Sequence, residues 1–134
     1  MAVAAQHPAW LRVLPFEPDR ARVARAYASA DVFLAPCPYE TFGLAAIEAM
    51  ASGLPVAGAG EGGIGELLRE APGAQAFDAR DPRDVARAVM AASEQEGAGS
   101  HAASISRWVT GRYSWDRTFA RLVELYTGWL SASA

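Results

Sequence analysis

The stretch Asp31-Val32-Phe33-Leu34-Ala35-Pro36-Cys37-Pro38-Tyr39-Glu40-Thr41-Phe42-Gly43-Leu44-Ala45-Ala46-Ile47-Glu48-Ala49-Met50-Ala51-Ser52-Gly53-Leu54-Pro55-Val56 decides the fold. Asp31 to Ala35 is almost wholly apolar after its first residue, the pattern of a strand covered on both faces in a parallel sheet, and Pro36 and Pro38 stop it. A helix opened by glycine follows from about Gly43 to Ser52. Gly53 ends that helix, and Leu54-Pro55-Val56-Ala57 returns the chain to the sheet.

Working outward toward the N-terminus, Asp19 fits the cap of a helix with Val23, Ala26 and Tyr27 on one side and Arg20, Arg22 and Arg25 as a solvated face. Ahead of it, Ala9-Trp10-Leu11-Arg12-Val13-Leu14-Pro15 reads as a strand closed by proline. Toward the C-terminus, the glycine run Gly58 to Gly63 leads to a short helix through Ile64, Leu67 and Leu68. Ala74-Gln75-Ala76-Phe77 reads as a fourth, weaker strand. Asp81-Pro82-Arg83-Asp84 supplies a cap, a proline at the first helical position and an acid in the first turn, so a helix to about Glu94 is expected. Gly97 to Ser100 breaks the chain before a helix from Ala102 to about Gly111. Ser114 caps the last helix, where Trp115, Phe119, Leu122, Tyr126, Trp129 and Leu130 form an apolar stripe that reads as core. Strands alternating with helices give an α/β fold with a partial Rossmann-like parallel sheet of about four strands. A doubly wound domain carries five or six strands. With four in view and the first so close to Met1, these residues read as the tail end of a larger architecture.

Composition narrows the chemistry. The chain has 134 residues, a one-domain length with room for its own core. Half of it is hydrophobic, yet no apolar run reaches the roughly 18 residues of a membrane span and Met1 to Gln6 is too short for a signal peptide, so a cytoplasmic protein is expected. A single cysteine, Cys37, excludes an internal disulfide and a cysteine-based zinc site; His7 and His101 offer no metal-ligand pair. No metal and no cofactor are expected. The net charge of −3 without a basic block gives no reason to expect nucleic acid as a partner. All twelve basic residues are arginine, which excludes a Schiff-base lysine or a phosphate-loop lysine within this chain.

The central turn carries chemistry of its own. A helix N-terminus presents unpaired N–H groups and the positive end of the macrodipole, an anion site in waiting. Gly43, lacking a Cβ, admits an oxygen to the main chain, and the same glycine also fits simple turn geometry. Glu48 lies five residues on, roughly 7 to 8 Å along the helix, a distance that suits a ribose beyond a diphosphate. Its carboxylate can accept two hydrogen bonds from a diol. Glu40 stands on the other side of the turn, where it can hold hydroxyls of a group on the terminal phosphate. Hexose, diphosphate and ribose thus map onto Glu40, the helix mouth and Glu48. A loop acid and a surface acid on an alanine-rich helix are the plainer readings of these two residues.

The run Tyr27 to Pro36, followed by Glu40-Thr41-Phe42-Gly43-Leu44 and Glu48-Ala49-Met50-Ala51-Ser52-Gly53-Leu54-Pro55-Val56, resembles the C-terminal, donor-binding domain of GT-B fold retaining glycosyltransferases of family 4. Its mark is a pair of glutamates separated by seven residues, here Glu40 and Glu48. Tyr113-Ser114-Trp115 and the amphipathic helix behind it are similar to the family's ending. The resemblance covers about residues 10 to 130 and divides the single domain into an α/β core, about 9–112, and a C-terminal helix, 114–131. It implies that the N-terminal acceptor domain and the first strands are absent.

By that resemblance Glu40 is the catalytic residue and binds the donor hexose, and the backbone N–H groups of Phe42, Gly43 and Leu44, with Thr41 in the same turn, meet the sugar and the diphosphate. Glu48 holds the nucleotide ribose. The implied reaction moves a hexose from a UDP- or GDP-sugar to an acceptor hydroxyl with retention and without a metal; the leaving diphosphate helps to deprotonate the acceptor. The implied partners are the donor, an acceptor that is a sugar, a lipid or a small molecule, and an N-terminal domain or partner chain, with peripheral membrane association of the full enzyme allowed. Two departures stand out. Cys37 replaces the family's usual serine, and the family's basic pair beside the diphosphate lies upstream of these residues, so the isolated chain is expected to be inactive. A non-catalytic nucleotide-sugar-binding or interaction module that needs a partner chain is the alternative. The family's last helix commonly crosses to the first domain, which implies an exposed apolar patch here.

Overall fold

The computed structural model describes residues 9–94 and 98–132. Helix α1, Arg20–Ala28, leads into strand β1, Phe33–Ala35. Helix α2, Leu44–Ala51, connects to strand β2, Val56–Ala59, and helix α3, Gly62–Glu70, to strand β3, Gln75–Phe77. Three helices follow: α4, Pro82–Ser93, α5, Ala98–Tyr113, and α6, Trp115–Ala132.

The strands form one parallel sheet in the order β1-β2-β3, with Phe33 opposite Val56, Ala35 opposite Gly58, Ala57 opposite Gln75 and Ala59 opposite Phe77. Parallel neighbours require crossovers, and α2 and α3 provide them. β2 is buried at all four residues, as a central strand of small and branched side chains permits. One buried core joins it to Ala46 and Met50 of α2, Ile64, Leu67 and Leu68 of α3, and Ala88 and Ala92 of α4, and α5, which packs on α2, adds Ile105 and Val109 to the same core. The Ser106 hydroxyl donates to the Ala51 carbonyl at 2.8 Å and ties α5 to the end of α2. Arg112 lies over the Trp108 ring at 5.1 Å and pairs with Glu70, fastening the end of α5 to α3.

The expected caps form. Asp19 accepts from the Ala21 N–H at 2.8 Å, and Asp81 accepts from Arg83 at 2.9 Å with Pro82 opening α4. Four expectations need correction. Ala9 to Pro15 is irregular chain and not a strand, so the described sheet has three strands rather than about four: no described strand lies beside it to form a ladder, and the segment instead runs beside α1, with Trp10, Val13, Leu14 and Phe16 exposed. β1 is not covered on both faces; it stands at an edge of the described sheet, and Leu34 is exposed. The break expected over Gly97 to Ser100 falls partly outside the described residues, and the backbone is already helical from Ala98. The α6 stripe is not core, because no residue of that helix is buried.

Candidate functional site

All three strands end at one edge of the sheet, so the loops after Ala35, Ala59 and Phe77 cluster there, the usual position of a ligand in an open α/β sheet. The first of these loops carries Glu40. Its Oε1 accepts from the Gly43 N–H at 3.3 Å, and its backbone carbonyl accepts from the Gly63 N–H at 2.9 Å. Gly43 is the N-cap of α2 in the left-handed region, φ 81° and ψ 41°, and an added Cβ would stand 3.2 Å from Ile64 Cδ1. Turn geometry therefore demands this glycine. No side chain caps α2, which leaves its first-turn N–H groups available to an anion. Thr41, Phe42 and Leu44 are exposed around the turn, and the Phe42 ring meets Tyr113 edge-on at 5.9 Å.

Glu48 lies on an exposed face of α2, beside a groove of about 920 Å³. Leu14, Pro15 and Phe16, Val23 and Tyr27 of α1, and Ala51 beside Glu48 on α2 line it. Arg20 Nη2 stands 3.8 Å from Glu48 Oε1. Burial, and then the nearby Glu48 charge, pushes the Tyr27 phenol above its usual range. The groove thus offers apolar surface, an aromatic ring, a carboxylate and a guanidinium side by side. Glu40 does not line it, and the groove's lining from α2 is Glu48, Ala51 and the C-cap Ser52, on the second half of that helix.

A smaller pocket of about 220 Å³ lies at the strand ends among Pro36, Tyr39, Gly60, Phe77 and Arg80. The Arg80 guanidinium donates to Glu61 at 2.8 Å, and that hydrogen bond raises the guanidinium's pKa above its ordinary value. Sequence reasoning missed Arg80 and Glu61 and left Arg20 without a role. It also took Leu14 and Pro15, which line the groove, for the end of a strand from Ala9 to Pro15. The glycines at 60, 62, 63 and 65 were a visible signal of close backbone packing. No cluster of three or more potential metal ligands occurs among the described residues, and no helix among them is long and apolar enough to cross a membrane.

Comparison with known proteins agrees with this geometry. The chain is 40% identical over 108 residues to the D-inositol 3-phosphate glycosyltransferase of Geodermatophilus obscurus, covering 78% of this chain and 23% of that protein. It is 34% identical over 116 residues to the enzyme of the same name from Xylanimonas cellulosilytica, covering 86% and 28%. The chain spans about a quarter of the length of these relatives. Sucrose-phosphate synthase from Thermosynechococcus elongatus superimposes with a TM-score of 0.79 at 25% identity, over 98% of this chain and 33% of that one. The family described as "Family 4 Glycosyltransferase in conflict systems" matches residues 1–122. With the paired glutamates set around a glycine-capped helix on a parallel sheet, and nearly the whole chain matched, the protein belongs to the family 4 glycosyltransferases of GT-B fold.

Proposed function

We propose that this chain is the donor-binding part of a retaining hexosyltransferase. The observation that carries the reading is the placement of Glu40 and Glu48 on either side of the uncapped N-terminus of α2, with Glu48 opening onto the large groove. A UDP- or GDP-sugar fits this order: nucleoside in the groove, ribose diol on Glu48, diphosphate on the first-turn N–H groups of α2 from Leu44 onward, hexose on Glu40. No metal or cofactor is required by this arrangement. Arg20, beside Glu48, supplies one of the cations that a diphosphate between two carboxylates needs.

In the reaction, Glu40 orients the hexose and stabilises positive charge at the anomeric carbon. The leaving diphosphate takes the acceptor proton, so the new bond forms on the face the old one leaves and configuration is retained. The acceptor site belongs to an N-terminal domain or partner chain, and the full enzyme works in the cytoplasm. D-inositol 3-phosphate, which names the relatives, is a compound to try as acceptor.

Titration of the chain with UDP and GDP tests the reading. Saturable micromolar binding that is lost in Glu48→Ala is expected; no binding by the wild-type chain, together with stable self-association, would favour a non-catalytic interaction module. The exposed apolar face of α6 is what recommends that second reading.

A further inference from the structure

The loop that carries Glu40 rests on bare backbone. An added Cβ on Gly63 would lie 2.1 Å from the Thr41 carbonyl oxygen and 3.0 Å from the Phe42 nitrogen. One on Gly62 would lie 2.6 Å from the Pro38 carbonyl oxygen and 3.1 Å from that of Glu40. These neighbours are main chain, which cannot rotate aside as a flexible side chain can. The Gly63 N–H donates to the Glu40 carbonyl at 2.9 Å and completes the contact. Gly65 packs in the same way on the Gly60 backbone, where an added Cβ would lie 2.4 Å from the carbonyl oxygen, away from the Glu40 loop, whereas nothing lies within 4 Å of a Cβ on Gly111.

We propose that Gly62 and Gly63, at the start of α3, are positioning residues that hold the Glu40 loop against the mouth of α2. The proposal rests on the reading of Glu40 as the donor-sugar residue. A carboxylate bonds a hydroxyl only within about 3 Å. A Cβ on Gly63 forces the loop back by roughly 1 Å to reach ordinary contact, and a displacement of about that size is enough to undo a positioned catalytic group. The two glycines touch no donor in this reading and act through the main chain of Pro38 to Thr41.

The chain carries a reporter for this loop. Cys37 is its single cysteine, is exposed, and precedes Pro38 directly. Wild type, Gly63→Ala, Gly62→Ala and the open-space control Gly111→Ala are compared in two measurements on the whole chain. One is the rate at which Cys37 reacts with an aromatic disulfide reagent under native conditions. The other is the affinity for UDP-glucose and GDP-mannose set against that for UMP and GMP, which lack the hexose and second phosphate and so probe the Glu48 end alone.

Gly63→Ala is expected to change the Cys37 rate about threefold or more, because access governs thiol reactivity. It should weaken nucleotide-sugar binding about tenfold through loss of a charge-assisted hydrogen bond, with monophosphate binding unchanged. Gly111→Ala should change neither. A general loss of structure would lower all affinities together, and Gly62→Ala, a smaller intrusion on the main chain that adds the strain of a left-handed φ of 64°, is the second variant, with its melting temperature measured alongside. A folded glycine variant with the wild-type Cys37 rate and the wild-type affinity ratio overturns the proposal. Glu40→Ala keeps the two readings apart. If it weakens nucleotide-sugar binding while the glycine variants change nothing, the clamp is wrong and the Glu40 assignment stands. If it leaves binding untouched while the glycine variants shift Cys37, the loop contact is real and the Glu40 assignment falls, taking the proposed role with it.

Discussion

Arg20 Nη2 and Glu48 Oε1 lie 3.8 Å apart beside the large groove, and both side chains are mostly in solvent, 89% and 52% exposed. An exposed pair of this kind adds at most about 1 kcal/mol to stability, so its importance lies in the charge it places beside the groove. Arg20→Glu should leave the melting temperature nearly unchanged and weaken UDP or GDP binding about tenfold at low salt, through like-charge repulsion with the diphosphate. The loss should shrink at high ionic strength as screening sets in. Calorimetric titration at two salt concentrations checks this, and a loss equal at both would show that Arg20 acts by contact instead of by field.

The two glutamates should fail differently. Glu48→Ala removes an acceptor for the ribose diol and should weaken UMP and UDP-sugar alike, by about 10- to 100-fold for a charge-assisted hydrogen bond. Glu40→Ala should spare UMP and weaken only the sugar nucleotide; in the reconstituted enzyme it should lower kcat more than it raises KM. Parallel losses in both variants would contradict the assignment of separate ends.

The central βαβ unit was legible because its signals are local. Pro36, Gly43 and Gly53 punctuate the chain where β1 ends and α2 begins and ends, and Asp19 and Asp81 cap helices by bonds to residues two positions away. The N-terminal segment was not legible, because Leu11 to Leu14 has strand composition and only a partner's ladder makes a strand. The contact of Gly63 with Thr41 joins residues 22 positions apart, and the sequence shows its glycine but not its target. Arg20 meets Glu48 through the packing of α1 on α2, which no spacing rule reports. The apolar stripe of α6 has the period of a buried face, and period alone does not say which surface buries it.

Gly43→Ala should be costly. The left-handed φ of 81° costs an L residue about 1–2 kcal/mol, and the added Cβ presses on Ile64 Cδ1 at 3.2 Å. Urea unfolding should show a loss of about 1–3 kcal/mol. Gly111→Ala, in the last turns of α5 with open space around it, should gain up to about 1 kcal/mol from helix propensity. A neutral Gly43→Ala would mean that the turn adopts another geometry in solution.

Asp84 gives stability a defined pH dependence. Its carboxylate accepts from the Asp78 N–H at 2.8 Å, the main cause, and from Arg87 Nε at 2.8 Å, and these bonds hold it below the usual carboxylate range. A depressed carboxyl contributes stability that is full above its unfolded pKa, near 3.9, and is lost as pH falls through the lower folded value. Asp84→Asn should therefore melt below wild type at neutral pH, with the gap closing in acid. Melting curves followed from neutral pH down through the ordinary carboxylate range and below it show the closing; a gap constant with pH would mean that the charge plays no part.

The α6 face decides how the chain behaves alone. Trp115, Phe119, Leu122, Tyr126 and Trp129 recur at steps of four, three, four and three, the spacing of a helix-packing seam, yet Trp115 is 69% exposed, Trp129 64% and Leu130 73%. The helix is held at its start, where Arg117 donates to the Gly111 carbonyl at 3.2 Å and the Ser114 hydroxyl accepts from the Arg117 N–H at 3.4 Å. Apolar surface of this extent favours association by removing side chains from water. The chain should bind a hydrophobic dye and sediment with a mass that rises with concentration. Leu122→Lys combined with Trp129→Glu should abolish both behaviours while leaving the melting temperature close to wild type, since α6 adds no buried residue to the core. A monomer at high concentration that binds no dye would show that α6 folds back onto the domain and covers the seam with the chain's own residues.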